Sequence, residues 1–322
     1  MRKVFVYPSA GGINLYKKNI IDSFNNSIGY IVSNHKGTGE DWFNLYKNLD
    51  ADIYIFSWPE NLCVKFTGFI KFLYLALFVC IFRVLRKKVV WIMHNKHPHK
   101  RNNWRTKLGM KFMASLSSAV ITHSREGVRY GEKLFGRRNI FFIPHPVYST
   151  VIFDKSEETI WDYIIWGTIN RRKKILEFFE YINDRPFYSS KKILLCGTCT
   201  DAFYEQTIKQ TIGSNVTYYN RYIADDELKS LINKSKTILF TYANDSILSS
   251  GALIYSINFC KPIIGPYLGA FKDLEEIVSL YKDFSDIETL KPKANKGYIE
   301  KYIHDNQWKD FPSKIEQILY NY

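Results

Sequence analysis

The feature that most constrains this chain is a rhythm. Short apolar runs rich in Val, Ile, Phe and Tyr alternate with longer amphipathic stretches along the whole length. A continuous apolar run suits a strand buried on both faces, and a parallel neighbour is reached only through a long crossover, so the alternation predicts repeated βα units around parallel sheets. In the first half the predicted strands are residues 3–7, 30–33, 52–57, 89–93, 119–122 and 140–143. In the second half they are residues 162–166, 193–196, 216–219, 237–241 and 262–264. Between the series, at residues 144–158, Pro144 and Pro146 precede a polar, charged stretch that marks a hinge. The fold class is therefore α/β, with two Rossmann-like parallel-sheet domains at residues 1–148 and 149–304. A polar tail from residue 293 reads as helical, and residues 305–322 are expected to pack back on the first domain through aromatic residues such as Trp308 and Phe311.

A chain of 322 residues has room for two domains of ordinary size, and 46% hydrophobic content with 23 Tyr and 23 Phe excludes a disordered protein. The excess of 45 Lys and Arg over 31 Asp and Glu favours an anionic partner: nucleic acid, a membrane surface or a phosphorylated small molecule. No nucleic-acid-binding motif accompanies the charge, so nucleic acid is set aside. Five scattered cysteines make no disulfide framework and no secretory signal precedes the first strand, which points to a reducing cytoplasm. Residues 72–82 form an apolar run backed by Arg83, Arg86, Lys87 and Lys88. It is shorter than the ~20 residues of a spanning helix. It reads as a core helix, with a helix resting in the interface of an anionic bilayer as the sharper alternative.

In open parallel sheets, ligands bind beyond the carboxyl ends of the strands. Residues just after each predicted strand are therefore the candidates. Gly11 and Gly12 follow the first, His94, Asn95, His97 and His99 the fourth, His123 the fifth and His145 the sixth. One strand-end histidine commonly just bonds a loop, but several on one rim would gather groups that exchange protons near neutral pH. A metal reading of His94, His97 and His99 is disfavoured, because Pro98 prevents a helix and Lys96, Lys100, Arg101 and Arg105 oppose a cation. No metal is predicted. In the second half, Gly167, Thr168, Asn170, Arg172 and Lys173 form a strand, a glycine turn and a cationic run opening a helix, a combination that attracts phosphate. Ser249, Ser250 and Gly251 at a later helix start also suit a diphosphate, ordinary N-capping being the alternative.

Together these segments resemble the bacterial GT-B fold glycosyltransferases, most closely the family 4-like enzymes of capsule and exopolysaccharide assembly, over nearly the whole chain. The resemblance implies two Rossmann-like domains facing a central cleft. It also implies metal-independent transfer, of the hexosyl type, from a UDP- or GDP-linked sugar to a lipid-linked glycan, with no separate cofactor. Gly167 to Lys173 match the family's strand-Gly-x5-Lys turn, so Arg172 and Lys173 are expected to neutralise the leaving diphosphate. Tyr222 and Ile223 would pack on the base, Gly12 would face the donor, and Ser249, Ser250 and Gly251 would complete its site. Gly11, Asn95, His97, His99, His123 and His145 would line the acceptor side. His94 would be the base of an inverting enzyme or a positioning group in a retaining one. Two glutamates that retaining members carry are replaced by Ile247 and Tyr255, which leaves the stereochemistry open and admits a catalytically degenerate sugar-nucleotide or glycan-binding protein. The expected place is the cytoplasmic face of the inner membrane, held peripherally.

Overall fold

The computed structural model describes residues 1–9, 14–34, 41–97, 103–136, 139–147, 158–242 and 247–321. The chain forms two compact units: Met1–Val147 with Ser246–Ser249 and Asn306–Tyr322, and Tyr148–Asp245 with Ser250–Asp305. In the first unit, β1 (Arg2–Tyr7), β2 (Tyr30–Val32), β3 (Ile53–Ser57), β4 (Lys88–Met93), β5 (Ala119–Thr122) and β6 (Ile140–Phe142) build one parallel sheet in the order β2-β1-β3-β4-β5-β6. Its helices are α1 (Leu15–Asn25), α2 (Phe66–Val84), α3 (Trp104–Leu116) and α4 (Arg125–Phe135).

In the second unit, β7 (Trp161–Trp166), β8 (Ile193–Gly197), β9 (Val216–Asn220), β10 (Ser235–Leu239), β11 (Ile263–Pro266) and β12 (Val278–Tyr281) form a second parallel sheet, in the order β12-β11-β10-β7-β8-β9. Helices α5 (Ile175–Asn183), α6 (Pro186–Ser189), α7 (Ala202–Thr211), α8 (Asp225–Asn233), α9 (Gly251–Ile257) and α10 (Gly269–Lys272) connect these strands, and α11 (Lys296–Asp305) follows the last of them. The last helix, α12 (Phe311–Asn321), belongs to the first unit.

Successive side chains of a strand point to opposite faces, and here both faces are apolar. On one face of the first sheet Phe5, Tyr54, Phe56 and Trp91 pack beneath α2 and α3. On the other, Val4, Val6, Ile55 and Ile92 pack beneath Ile20 and Phe24 of α1 and Phe311, Ile315 and Leu319 of α12. The second sheet buries Tyr163, Ile165, Ile193 and Leu195 against Phe178 and Phe179 of α5 and Tyr204 and Ile208 of α7. Helix ends follow their capping chemistry: the Ser124 side chain caps α4, which closes on Gly136 at φ 62, and Asp201 caps α7.

Three features differ from the sequence pattern. Strand β12 was not expected, because its middle residues Ser279 and Leu280 are only half-buried at a sheet edge and leave no continuous apolar run. Strand β10 begins two residues before the predicted 237. The tail is two helices, broken at a 3-10 turn, Trp308–Asp310, ahead of the Phe311-Pro312 start of α12.

Each sheet has one switch point. After β1 the chain adds β2 on one side and β3 on the other, and after β7 it adds β8 and β9 on one side and β10 on the other. The two connections leave in opposite directions, which opens a crevice at the carboxyl ends of β1 and β3 and of β7 and β10. Phe82 in α2 is fully buried and stacks on Tyr54 with ring centroids 3.6 Å apart. Phe82→Ala should therefore cost about 3–5 kcal/mol in urea unfolding. Leu77→Ala, on the exposed side of the same helix, should stay within about 0.5 kcal/mol of wild type.

Candidate functional site

The crevice of the second sheet holds the cationic turn. The Lys173 side chain is folded inward, leaving the residue 9% exposed, and its Nζ donates to the Trp166 carbonyl at 3.0 Å. The ammonium also lies 5.4 Å from the centroid of the Tyr242 ring. Thr241, just past β10, donates its hydroxyl to the Lys173 carbonyl at 2.6 Å, tying the two strand ends together. Among the described residues no carboxylate lies within ion-pair distance of Lys173, so a buried positive charge faces a carbonyl and a ring, with the Cys196 thiol near enough to feel it. Such a charge is costly unless an anion completes it.

The backbone around this lysine allows only glycine at two places. Gly167 has φ +92, and a Cβ there would sit 3.2 Å from Lys173 Nζ. Gly197, ending β8, has φ +140, and its Cβ would come within 2.1 Å of the Gly167 carbonyl oxygen. Asn170 accepts from the Arg172 amide at 3.2 Å. Arg172 is half-buried, and burial draws its guanidinium pKa below the ordinary value.

The cationic run does not open the helix as expected. Arg171–Lys173 make one 3-10 turn, Lys174 takes a left-handed conformation at φ 49, and α5 starts only at Ile175. Thr168 is exposed. Ser250 serves as the N-cap of α9, its hydroxyl accepting from the Leu253 amide at 3.2 Å, with Gly251 exposed behind it. Tyr222 is exposed and Ile223 half-buried after β9, which β8 separates from β7 in the sheet. Tyr255 donates its hydroxyl to Asp225, and its ring meets Trp166 edge-on at 5.5 Å.

In the first unit, Tyr16 in the first turn of α1 gathers three histidines. Its ring meets His94 edge-on at 4.7 Å, His123 at 5.6 Å and His145 at 5.3 Å, and also contacts Trp58 and Trp308. His94 stacks on Trp58 at 4.2 Å, and its Nδ1 lies 3.4 Å from the Ser249 hydroxyl. Residues 247–249 belong to this unit: Ile247 bridges Asn95 in antiparallel fashion and Leu248 joins the core. Asn95 is buried.

His123 Nδ1 is 2.8 Å from the Ile143 carbonyl, so it carries the proton, and Nε2 accepts from the Tyr16 hydroxyl at 2.8 Å. His145 Nδ1 donates to the Pro146 carbonyl at 2.9 Å. Burial pulls the His123 pKa down to about 3 and the His145 pKa down to about 4. The expectation of a rim that exchanges protons near neutral pH therefore fails for these two. They are buried hydrogen-bonding groups whose burial favours the neutral form. His97 is half-buried, and its ring and that of Tyr130 meet edge-on at 6.0 Å. Lys96, one of the cations that argue against a metal here, is paired with Glu126 at 2.6 Å. Gly11, Gly12 and His99 lie outside the described residues. Among the described residues no group of three His, Cys, Asp or Glu is placed to hold a metal ion.

Sequence reasoning missed Tyr16, Trp58, Gly197, Thr241 and Tyr242. All but Tyr16 sit at strand ends, and applying the strand-end rule to every residue type would have found them. It also missed Glu60, a fully buried carboxyl just past β3 whose pKa burial pushes up to about 7.

Comparison with solved structures decides the fold. HepE from Anabaena in complex with UDP-glucose superposes with a TM-score of 0.62 at 10% identity, covering 100% of this chain and 98% of that one. AviGT4, a glycosyltransferase involved in avilamycin A biosynthesis, gives 0.63 at 12% identity, over 99% and 97%. MnaA from S. aureus with UDP gives 0.58 at 9% identity, over 100% and 97%. The chain has the GT-B fold. No protein-family model and no curated protein matches the sequence itself.

Two predictions follow from the buried groups. Gly197→Ala should cost about 2 kcal/mol or more in thermal unfolding, since the new Cβ meets backbone at an unfavourable φ. Glu60 binds its proton more tightly folded (about 7) than at its ordinary 4.5, so its contribution is full below about 4.5 and is lost as pH rises through about 7. His123 and His145 act oppositely: their contribution is full above the ordinary 6.5 and is lost as pH falls towards 4. Glu60→Gln should therefore abolish a fall in stability between about pH 5 and pH 8 in urea unfolding. An unchanged pH profile would place the Glu60 carboxyl in water.

Proposed function

We propose that this protein is a glycosyltransferase that moves a sugar, of the hexosyl kind, from a uridine diphosphate sugar to a hydroxyl of a lipid-linked glycan, in family 4-like surface polysaccharide assembly. The observation that carries this reading is the Lys173 ammonium, buried at the switch point between β7 and β10 with no described carboxylate against it. A nucleoside diphosphate is an anion of matching charge for that crevice. HepE bound to UDP-glucose and MnaA bound to UDP, which share the fold, support uridine as the base.

Breaking the bond from the anomeric carbon to the diphosphate leaves negative charge on the departing oxygen. Lys173 and Arg172, held by the Gly167 turn and the Asn170 cap, stabilise that charge as it develops. His94 is assigned to the acceptor hydroxyl. Its Nδ1 lies beside a serine hydroxyl, whereas His123 and His145 spend theirs on backbone carbonyls. The donor is a substrate, and neither metal nor further cofactor enters this reading.

A second reading, a sugar-nucleotide binder without turnover, is favoured by one observation. Ile247 is buried and the Tyr255 hydroxyl is engaged by Asp225, so neither position offers a carboxylate to a sugar. Thermal unfolding with UDP, GDP and CMP tests the first claim: saturating UDP should raise Tm, because a ligand that binds only the native state stabilises it. Lys173→Ala should weaken UDP binding by about tenfold to a hundredfold through loss of a charge-assisted contact. UDP binding without hydrolysis or transfer of any UDP-sugar would favour the binder, and no Tm rise with any nucleotide would end both readings.

A further inference from the structure

Helix α2 is apolar on two opposite sides. Phe72, Leu75, Ala76, Phe78, Val79 and Phe82 are buried in the first unit. Facing away from them, Phe66 is 66% exposed, Ile70 55%, Leu73 53%, Leu77 58% and Val84 82%. At about 100° per residue these five fall within an arc of roughly 60°, and no charged side chain interrupts it. The start of α3 extends the surface: Trp104 and Leu108 are exposed, and Trp104 meets Phe69 of α2 edge-on at 5.8 Å. Scattered exposed apolar residues need no explanation, but a continuous stripe of this kind marks a surface that something covers.

The charge around the stripe identifies its occupant. Between Glu60 and Glu126 the chain carries thirteen Lys and Arg and no Asp or Glu. Lys65, Arg83 and Arg86 flank the ends of α2, and Lys107 and Lys111 line α3, all of them exposed. An apolar stripe edged by cations fits a surface that is apolar a few ångströms down and negatively charged on top, which describes an anionic bilayer. The exposed Trp104 adds an amphipathic ring of the kind enriched at lipid headgroups. By length and composition α2 would suffice to cross a membrane. Its inner face, however, is locked into the core, with Phe82 stacked on Tyr54, so the helix lies along the surface.

We propose that the outward face of α2 and the first turns of α3 dock this protein onto an anionic phospholipid bilayer. Only the meeting with a lipid-linked acceptor rests on the transfer reading; the docking itself does not depend on the donor. Co-sedimentation of the full chain with vesicles tests it, using phosphatidylcholine alone and phosphatidylcholine mixed with phosphatidylglycerol. Wild type should bind the mixed vesicles and be partly released by high salt. Leu73→Glu with Leu77→Glu should lower binding by about tenfold or more, and Lys107→Glu with Lys111→Glu should lower it on mixed vesicles. Both variants should keep the wild-type urea midpoint, since every altered side chain is exposed. Wild type that ignores mixed vesicles, or a Leu73→Glu, Leu77→Glu variant that binds like wild type, would overturn the proposal. So would a wild-type dimer that this variant splits, with no vesicle binding, because a second copy would then cover the face. If UDP raises no Tm while the vesicle results hold, the transfer reading falls and the docking stands.

Discussion

A parallel strand cannot reach its neighbour by a hairpin, and nearly everything in this structure depends on that constraint. Each strand must be followed by a crossover that covers the sheet, so the central strands of both sheets are buried on both faces and largely apolar, while the edge strands β9 and β12 are only partly buried. Polar chemistry is thereby pushed to strand ends. At one point in each sheet, adjacent strands send their crossovers in opposite directions, and the end of the sheet is left open there. Thr241 holding the Lys173 carbonyl adds a side-chain link across that point, where β7 and β10 already pair in the sheet.

The buried polar groups near these ends meet the cost of desolvation in different ways. His123 and His145 stay neutral, each giving its Nδ1 proton to a backbone carbonyl. Burial favours the protonated, neutral form of Glu60 up to about pH 7. Lys96 is paired with Glu126. Lys173 is set apart, because its surroundings provide a carbonyl and an aromatic face and no described carboxylate. It is the position where an incoming anion would gain most. The glycines at 167 and 197 belong to the same economy of space, since a Cβ at either would crowd the lysine or the turn that holds it.

Helix α2 shows that apolar composition does not say which way a residue faces. Its buried side is an ordinary part of the first core, and its outer side is as apolar again. Nothing in the stability of the fold requires the outer side to be apolar, because exposed positions of that kind gain nothing from folding.

Much of the architecture was legible from periodicity alone. Eleven of the twelve strands stand where apolar runs stand, because burial writes itself into residue type, and even the half-buried β9 keeps Val216, Tyr218 and Tyr219. The exception, β12, is an edge strand that is only half-buried inside. Part of the candidate site was legible too: the Gly167 to Lys173 turn is local, and its glycine and cations are adjacent in the chain. What the sequence could not decide was company. That Tyr16 would gather three histidines, that residues 247–249 would join the first unit, and that Glu126 would neutralise Lys96 all depend on segments far apart in the chain. Local pattern determined the elements and their apolar faces. Tertiary structure alone decided which strand ends became neighbours, and so which charges were buried, paired or left for a ligand, because strand order is set by packing between elements that no short window of sequence contains.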